Sequence, residues 1–240
     1  MDKFRIEVIK ATPNPQQVMW LAMHQDYAEE FVWDQRDRAP DEAKAGENVI
    51  KYLLAGERGH YGPLEHPQIT FNVGFFPHSM MQQIRTHRVG ISFDVQSFRY
   101  TGQRILEVAE GKRDVEEVFY LRPVGDYTNR QGKRYSYTEK QRKADLEWCL
   151  EACKRYQQRI NEGLAEEHAR GIIPFDARQH FVMSCNARSL MHLLDLRWKK
   201  DAQLEAQKFC ELLFQHFQEW TPQLANWYEE TRAKKAKLSP

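Results

Sequence analysis

Residues 68–88 read QITFNVGFFPHSMMQQIRTHR, and the class of fold turns on this passage. From Gln68 to Phe76 apolar and polar residues alternate, with Ile69, Phe71 and Val73 on one side, as in a half-buried strand. Pro77 then opens a helix, and Met81, Ile84, Arg85 and Arg88 follow at helical spacing. The passage runs directly from strand to helix. Along the chain strands and helices mix without βαβ regularity, and no internal repeat or clean domain boundary is readable. The expected class is therefore α+β, mixed helices with an antiparallel sheet, in a single compact domain over residues 1–240.

Outward from this passage, residues 4–9 alternate like a strand, and Thr12-Pro13-Asn14-Pro15 ends it and leads into a helix from Gln16. A helix is expected over Asp41 to Leu54, stopping near Gly56. A loop over residues 59–67 carries His60, Glu65 and His66. Val118 to Leu121 reads as a short strand, and residues 122–139 as a polar insertion. Lys140 to Ala169 has helical spacing, Pro174 breaks the chain, and helices are expected at about 187–197 and 201–219. In the last, Phe209, Leu213, Phe217 and Trp220 form an apolar stripe at i, i+4, i+8 and i+11.

Composition excludes several classes. The 240 residues are 41% hydrophobic, enough for a sizeable core, yet no run of eighteen apolar residues and no charged-then-apolar leader is present. A cytoplasmic protein without a membrane span is the expectation. The formal net charge of +1 argues against a nucleic-acid partner, which would call for a basic excess. The one local basic run, Arg232 to Lys237, reads as part of a solvated, flexible tail over 230–240. Cys149, Cys153, Cys185 and Cys210 form neither a disulfide framework nor a zinc pattern and read as reduced thiols. No metal is expected, His60 and His66 included.

Chemistry concentrates in two stretches. The helix opened by Pro77 is expected to contain Arg85 and Arg88, which would face inward beside Met81 and Ile84. Guanidinium groups there need an anion. A phosphate or a uracil-like edge would suit their planar forks, and internal salt bridges would serve as well, so this segment leaves both readings open. Ser97 and Arg99 lie just beyond. In the second stretch Asn186, Leu190, Leu193 and Arg197 share one helical side, while Arg188, His192 and Asp195 share another that reads as a polar face. Two such helices favour an anionic ligand between them. No G-x-G-x-x-G, P-loop, G-x-S-x-G or H-E-x-x-H motif is present.

At these residues the chain resembles the flavin-dependent thymidylate synthases, from about Gly59 to about Trp220. The family's Arg-His-Arg element followed by Ser-x-Arg-Tyr appears here as Gln82-x-x-Arg85-Thr86-His87-Arg88 and Ser97-Phe98-Arg99-Tyr100, with Thr86 inserted. Upstream stands His60-Tyr61-Gly62-Pro63-Leu64-Glu65-His66. Downstream stand Ala169-Arg170-Gly171-Ile172-Ile173-Pro174, Asn186-Ala187-Arg188-Ser189-Leu190, Leu196-Arg197 and Ala202-Gln203-x-Glu205. Gln96 stands beside Val95, where the family has an acidic or amide residue.

The resemblance implies reductive methylation of dUMP to dTMP by a homotetramer. FAD would be the hydride carrier, NADPH the reductant and 5,10-methylenetetrahydrofolate the carbon donor. It places Gln82, Arg85, Gln96, Ser97, Arg99, Arg170 and Arg197 around dUMP. It places His60, Glu65, His87, Arg88, Asn186, Arg188 and His192 against FAD. Arg197 would be the catalytic group, activating the uracil ring without a covalent enzyme nucleophile. A non-catalytic nucleotide-binding module that kept the arginine pocket is the alternative, and the inserted Thr86 is the feature that favours it.

Overall fold

The computed structural model describes residues 3–235. In chain order the strands and α-helices are β1 (Arg5–Ala11), α1 (Pro15–Gln25), α2 (Glu42–Val49), β2 (Gln68–Pro77), α3 (His78–Ile84), β3 (Ile91–Val95), α4 (Phe98–Thr101), α5 (Gln103–Ala109) and α6 (Val115–Val118). There follow β4 (Gly125–Thr128), β5 (Arg134–Tyr137), α7 (Glu139–Asn161), α8 (Glu166–Ala169), β6 (Arg178–Asn186), α9 (Ala187–Arg197), α10 (Leu204–Trp220) and α11 (Pro222–Thr231). The mixture of helices and sheet agrees with the expected class.

Four strands form one sheet in the order β1-β2-β6-β3. The contacts along them run in opposite directions, so neighbours are antiparallel. The Thr12 N–H donates to the Gln68 carbonyl while Phe4 stacks on Phe76. Thr70 bonds Ser184 while the His78 N–H reaches the Ala177 carbonyl. Asn186 pairs with Gly90 while Gln96 pairs with His180. In β2, Ile69, Phe71 and Val73 are buried as the alternation requires. Phe75 then takes φ of +70°, a backbone region aromatic residues rarely enter, and Phe76 turns inward onto Phe4.

The described residues divide into two compact units, each drawn from three stretches of chain: 3–5, 73–85 and 94–181 in the first, and 6–72, 86–93 and 182–235 in the second. Neither is a contiguous segment, which is why no boundary is readable in the sequence. In the first unit α7 starts at Thr138 with a capping box to Gln141, and its buried face carries Cys149, Ala152, Cys153 and Tyr156. This face packs with Ile105, Val108, Val118 and Phe119. In the second unit Phe209, Leu213, Phe217 and Trp220 of α10 are all buried, as their spacing predicts.

Several expectations change. Val118 to Leu121 is not a strand, because α6 runs through Val118 and only an isolated bridge, Phe119 to Ala177, follows. The insertion at 122–139 is an ordered antiparallel hairpin, β4 with β5, in which Gly125 faces Tyr137 and Thr128 faces Arg134. The helix after Pro77 ends at Ile84, not at Arg88. The basic stretch from Arg232 is not simply solvated, since Arg232 is buried. Residues 236–240 of that expected tail lie outside the described residues.

Candidate functional site

In the second unit residues 182–186, the end of β6, run straight into α9, and Asn186 is the junction between them. Its side-chain oxygen accepts the Ser189 N–H at 2.8 Å, satisfying one of the donors a helix start leaves open. The turn over residues 85–90 is pinned against this corner. The Ser189 hydroxyl donates to the Val89 carbonyl at 2.9 Å, and the Asn186 N–H reaches the Gly90 carbonyl. Gly90 has φ of +67°, and a Cβ there would stand 2.1 Å from Ser189 Oγ and 2.7 Å from Asn186 Nδ2. Gly90→Ala is therefore expected to destabilise by about 2 kcal/mol or more, from backbone strain and steric conflict together. Urea unfolding checks this; a change under about 0.5 kcal/mol, the ordinary surface value, would show that the corner yields freely.

Around that corner lies a cavity of about 500 Å³. Glu65, the turn from Thr86 to Gly90 and one side of α9 from Asn186 to Arg197 line it. Six of the residues assigned by resemblance to the flavin are in this lining: Glu65, His87, Arg88, Asn186, Arg188 and His192. His60 is not. It lies on an exposed loop, with its ring 3.8 Å from the Asp26 carboxylate. Arg188 pairs with Glu65 and lies over the Tyr61 ring. Arg88 is exposed. Its inward placement fails because the helical turn that would have rotated it into the core stops at Ile84. Arg85 is exposed at the C-cap of α3 for the same reason.

Arg197 ends α9, where a cation complements the helix dipole. Its Nε–H donates to His87 Nε2 at 2.9 Å, and Nη2 donates to Thr86 Oγ1 at 3.2 Å. The first bond requires His87 to present a lone pair at Nε2, so its ring is neutral with the proton on Nδ1. Burial, Arg197 and His192 all push in that direction and lower the His87 pKa to about 4. His192 meets the His87 ring edge-on at 5.4 Å and is itself lowered, chiefly by burial. The cavity thus holds arginine cations and uncharged imidazoles.

The sign of the pH effect follows. Unfolded His87 takes a proton below about pH 6.5, whereas the folded ring takes one only near pH 4. His87 therefore costs stability as pH falls through that window, by at most about 1.4 kcal/mol per pH unit. Urea unfolding at pH 7.5 and pH 5 should show His87→Asn losing less stability on acidification than the parent, by about 1–2 kcal/mol. Equal losses in both proteins would place the proton elsewhere.

Asp195 corrects the expected polar face. It is buried at 2% exposure, accepting from Tyr228 Oη at 3.1 Å and Arg232 Nη2 at 2.5 Å.

Residues assigned to dUMP, apart from Arg197, belong to the first unit. Ser97 caps α4, accepting the Arg99 N–H, and also accepts from Arg170 Nη1 at 3.2 Å across 73 positions of sequence. Arg99 Nε lies 3.7 Å from Glu167 Oε2, a partner the sequence reading missed. Gln82 bonds His78 at 2.7 Å. The Gln96 N–H donates to the His180 carbonyl, while its side-chain oxygen is buried with no partner among the described residues. Ser97, Arg99 and Arg170 thus share one neighbourhood. The sequence reading also missed Ser189 and Gly90 as parts of the cavity wall.

The family model described as thymidylate synthase complementing protein matches residues 7–223. The flavin-dependent thymidylate synthase of Haloarcula marismortui is 32% identical over 98% of this chain and 99% of its own length. That of Halobacterium salinarum is also 32% identical, over 98% of this chain and all of its own. Among solved structures, a UMP/dUMP methylase of Streptomyces cacaoi bound with 5-Br dUMP superposes with a TM-score of 0.72, at 22% identity over 99% of this chain and 98% of that one. Thymidylate synthase X of Helicobacter pylori with FAD and dUMP gives 0.67 at 19% identity, over 92% of this chain and 99% of that one. These two likenesses speak to the fold. With the family match and the two archaeal relatives spanning nearly the whole chain, this protein belongs to the thymidylate synthase complementing family, the flavin-dependent thymidylate synthases.

Proposed function

We propose that this chain methylates dUMP to dTMP with FAD as cofactor, 5,10-methylenetetrahydrofolate as carbon donor and NADPH as reductant, as a cytoplasmic homotetramer. The observation that carries the reading is Arg197, hydrogen-bonded to His87 and Thr86 at the wall of a cavity rich in guanidinium groups. The donor set fits a dinucleotide. Arg88, Arg188 and Arg197 outnumber the single carboxylate Glu65 in the lining, so a pyrophosphate would meet a positive field. His87, His192 and Leu196 offer flat or apolar surface for a ring. Bound FAD supplies the hydride.

The protein's own residues have separable tasks. Arg88 and Arg188 hold phosphate, and Glu65 orients Arg188. Ser97, Arg99 and Arg170, with Gln82, Arg85 and Gln96, receive the nucleotide, and subunit assembly brings their pocket and Arg197 onto one substrate. Arg197 faces the N3/O4 edge of uracil and stabilises the negative charge that develops as carbon 5 becomes nucleophilic. No enzyme thiolate is available for a covalent route. Burial pushes Cys149 up to about 11 and Cys153 and Cys185 up to about 12, and lifts Cys210 as well. Ser97 receives hydrogen bonds from Arg170 and the Arg99 amide rather than giving its proton to a base, which suits binding and not attack. The inserted Thr86 joins the grip on Arg197, which favours the enzyme over a non-catalytic nucleotide-binding module.

Anaerobic mixing of the FAD-reduced protein with dUMP and methylenetetrahydrofolate tests this. Flavin oxidation that requires both substrates and yields dTMP is expected; a protein that retains no flavin, or whose flavin ignores dUMP, would falsify the reading.

A further inference from the structure

The inserted Thr86 makes this chain's Arg-x-His-Arg element one residue longer than the Arg-His-Arg it resembles, and the extra residue touches the cation assigned to catalysis. We infer that Thr86 is a positioning residue: its hydroxyl and His87 Nε2 together cradle one edge of the Arg197 guanidinium and fix its plane. The two contacts fall on one edge of the fork, Nε to His87 at 2.9 Å and Nη2 to Thr86 at 3.2 Å. One hydrogen bond to a guanidinium leaves it free to swing about that bond, whereas two on the same edge of a rigid plane define its orientation. Fixing this edge sets the direction of the opposite one.

Both acceptors come from neighbouring positions on one turn, and that turn is itself held. Ser189 anchors Val89, Gly90 packs on the start of α9, and Arg197 ends the same helix. The two ends of α9 thereby bracket the turn, so the cradle and the side chain it holds belong to one rigid assembly. His87 is sequestered at 7% exposure and neutral, so it accepts the Nε–H throughout the neutral range. Thr86 is the second point and is exposed, so removing its hydroxyl changes little packing. Orientation of a preorganised donor is where small displacements cost most in rate, which gives an exposed threonine an effect out of proportion to its burial.

The inference rests on the proposed role of Arg197, and its test separates the two. Thr86→Val keeps the shape and removes the acceptor, while Thr86→Ser keeps the acceptor. In the FAD-loaded enzyme at saturating dUMP, Thr86→Val should lower kcat by about tenfold, with Thr86→Ser within about twofold of the parent. Flavin content and thermal midpoint should be unchanged in both. In flavin-free protein labelled with [15N]arginine, the Arg197 Nε–H resonance, assigned by its loss in Arg197→Lys, should exchange with solvent several-fold faster in Thr86→Val and return in Thr86→Ser. Parental kcat in Thr86→Val, equal losses in Val and Ser, or an unaltered exchange rate overturns the inference. A parent enzyme with no dUMP-dependent flavin oxidation would defeat the functional reading instead, while the exchange measurement would still decide whether the cradle exists.

Discussion

Arg197→Ala is expected to slow dUMP-dependent oxidation of the reduced flavin by about 10²–10³-fold, the range for losing one preorganised donor at a developing negative charge. The size of the effect comes from the setting. Arg197 is partly buried at the end of a helix whose neighbouring residues Leu193 and Leu194 are fully buried, so water screens its charge less than at a surface. Its guanidinium is already oriented by His87 and Thr86 before substrate arrives, so little reorganisation is required during reaction. Arg197→Lys keeps the charge but cannot reproduce the bonded edge, and it should recover only a minor part of the rate. Ser97→Ala is the contrasting case. It removes a cap and an acceptor for Arg170 while leaving Arg197 intact, so on the proposed division of labour substrate affinity should weaken and kcat should largely survive. Single-turnover flavin oxidation across a dUMP titration distinguishes the two. If Ser97→Ala abolishes turnover as completely as Arg197→Ala, the serine has a chemical role and the assignment of the work to arginine is wrong.

What could be read from the chain depended on whether the signal was local. Helix α9 and the α10 stripe were legible because their periodicity, Asn186 as cap and the apolar positions all agree. Strands β3 and β6 were not legible, although Ile91-Ser92-Phe93-Asp94-Val95 of β3 alternates; Phe181-Val182-Met183 of β6 is a continuous apolar run. β3 is only five residues long and follows directly on a turn, and β6 opens on Arg178-Gln179-His180, which carry no apolar alternation. The arginine assignments show the same limit. Arg85 and Arg88 were expected inside on an extrapolated helix that stops short, whereas the bond between Arg170 and Ser97 joins positions no local pattern connects. Six cavity residues could be named from motif resemblance because motifs preserve residues that meet in space. The resemblance carried no information about Thr86, since an inserted residue has no counterpart from which to borrow a role.

The largest stability loss is expected at a pair the sequence placed on two solvated surfaces. Asp195 has a fully buried side chain, with Arg232 at 10% side-chain exposure as its ionic partner and Tyr228 as a second donor. Burial lifts the Asp195 carboxyl above its ordinary range, and the bonds from Arg232 and Tyr228 work against that lift. Arg232→Ala removes the counter-charge and leaves the carboxylate buried with one neutral donor, so it should cost about 3–5 kcal/mol. The same figure would not apply to replacing both partners. Asp195→Leu with Arg232→Met removes the buried charge and its desolvation cost together, at the cost of the acceptor for the Tyr228 hydroxyl, and should be less damaging than Arg232→Ala alone. Urea unfolding of the parent, Asp195→Leu, Arg232→Met and the double variant measures the coupling directly, with Arg232→Ala alongside. An Arg232→Ala variant within about 1 kcal/mol of the parent, the value of an exposed ion pair, would mean the pair opens to water. The consequence reaches the site, because Asp195 stands two positions before Arg197 on the last turn of α9. The bond from Arg232 ties the chain just beyond α11 to the turn that carries Arg197, the proposed catalytic cation. Loss of that tie should lower kcat as well as stability, whereas the double variant, packed without charge, should recover stability more fully than rate.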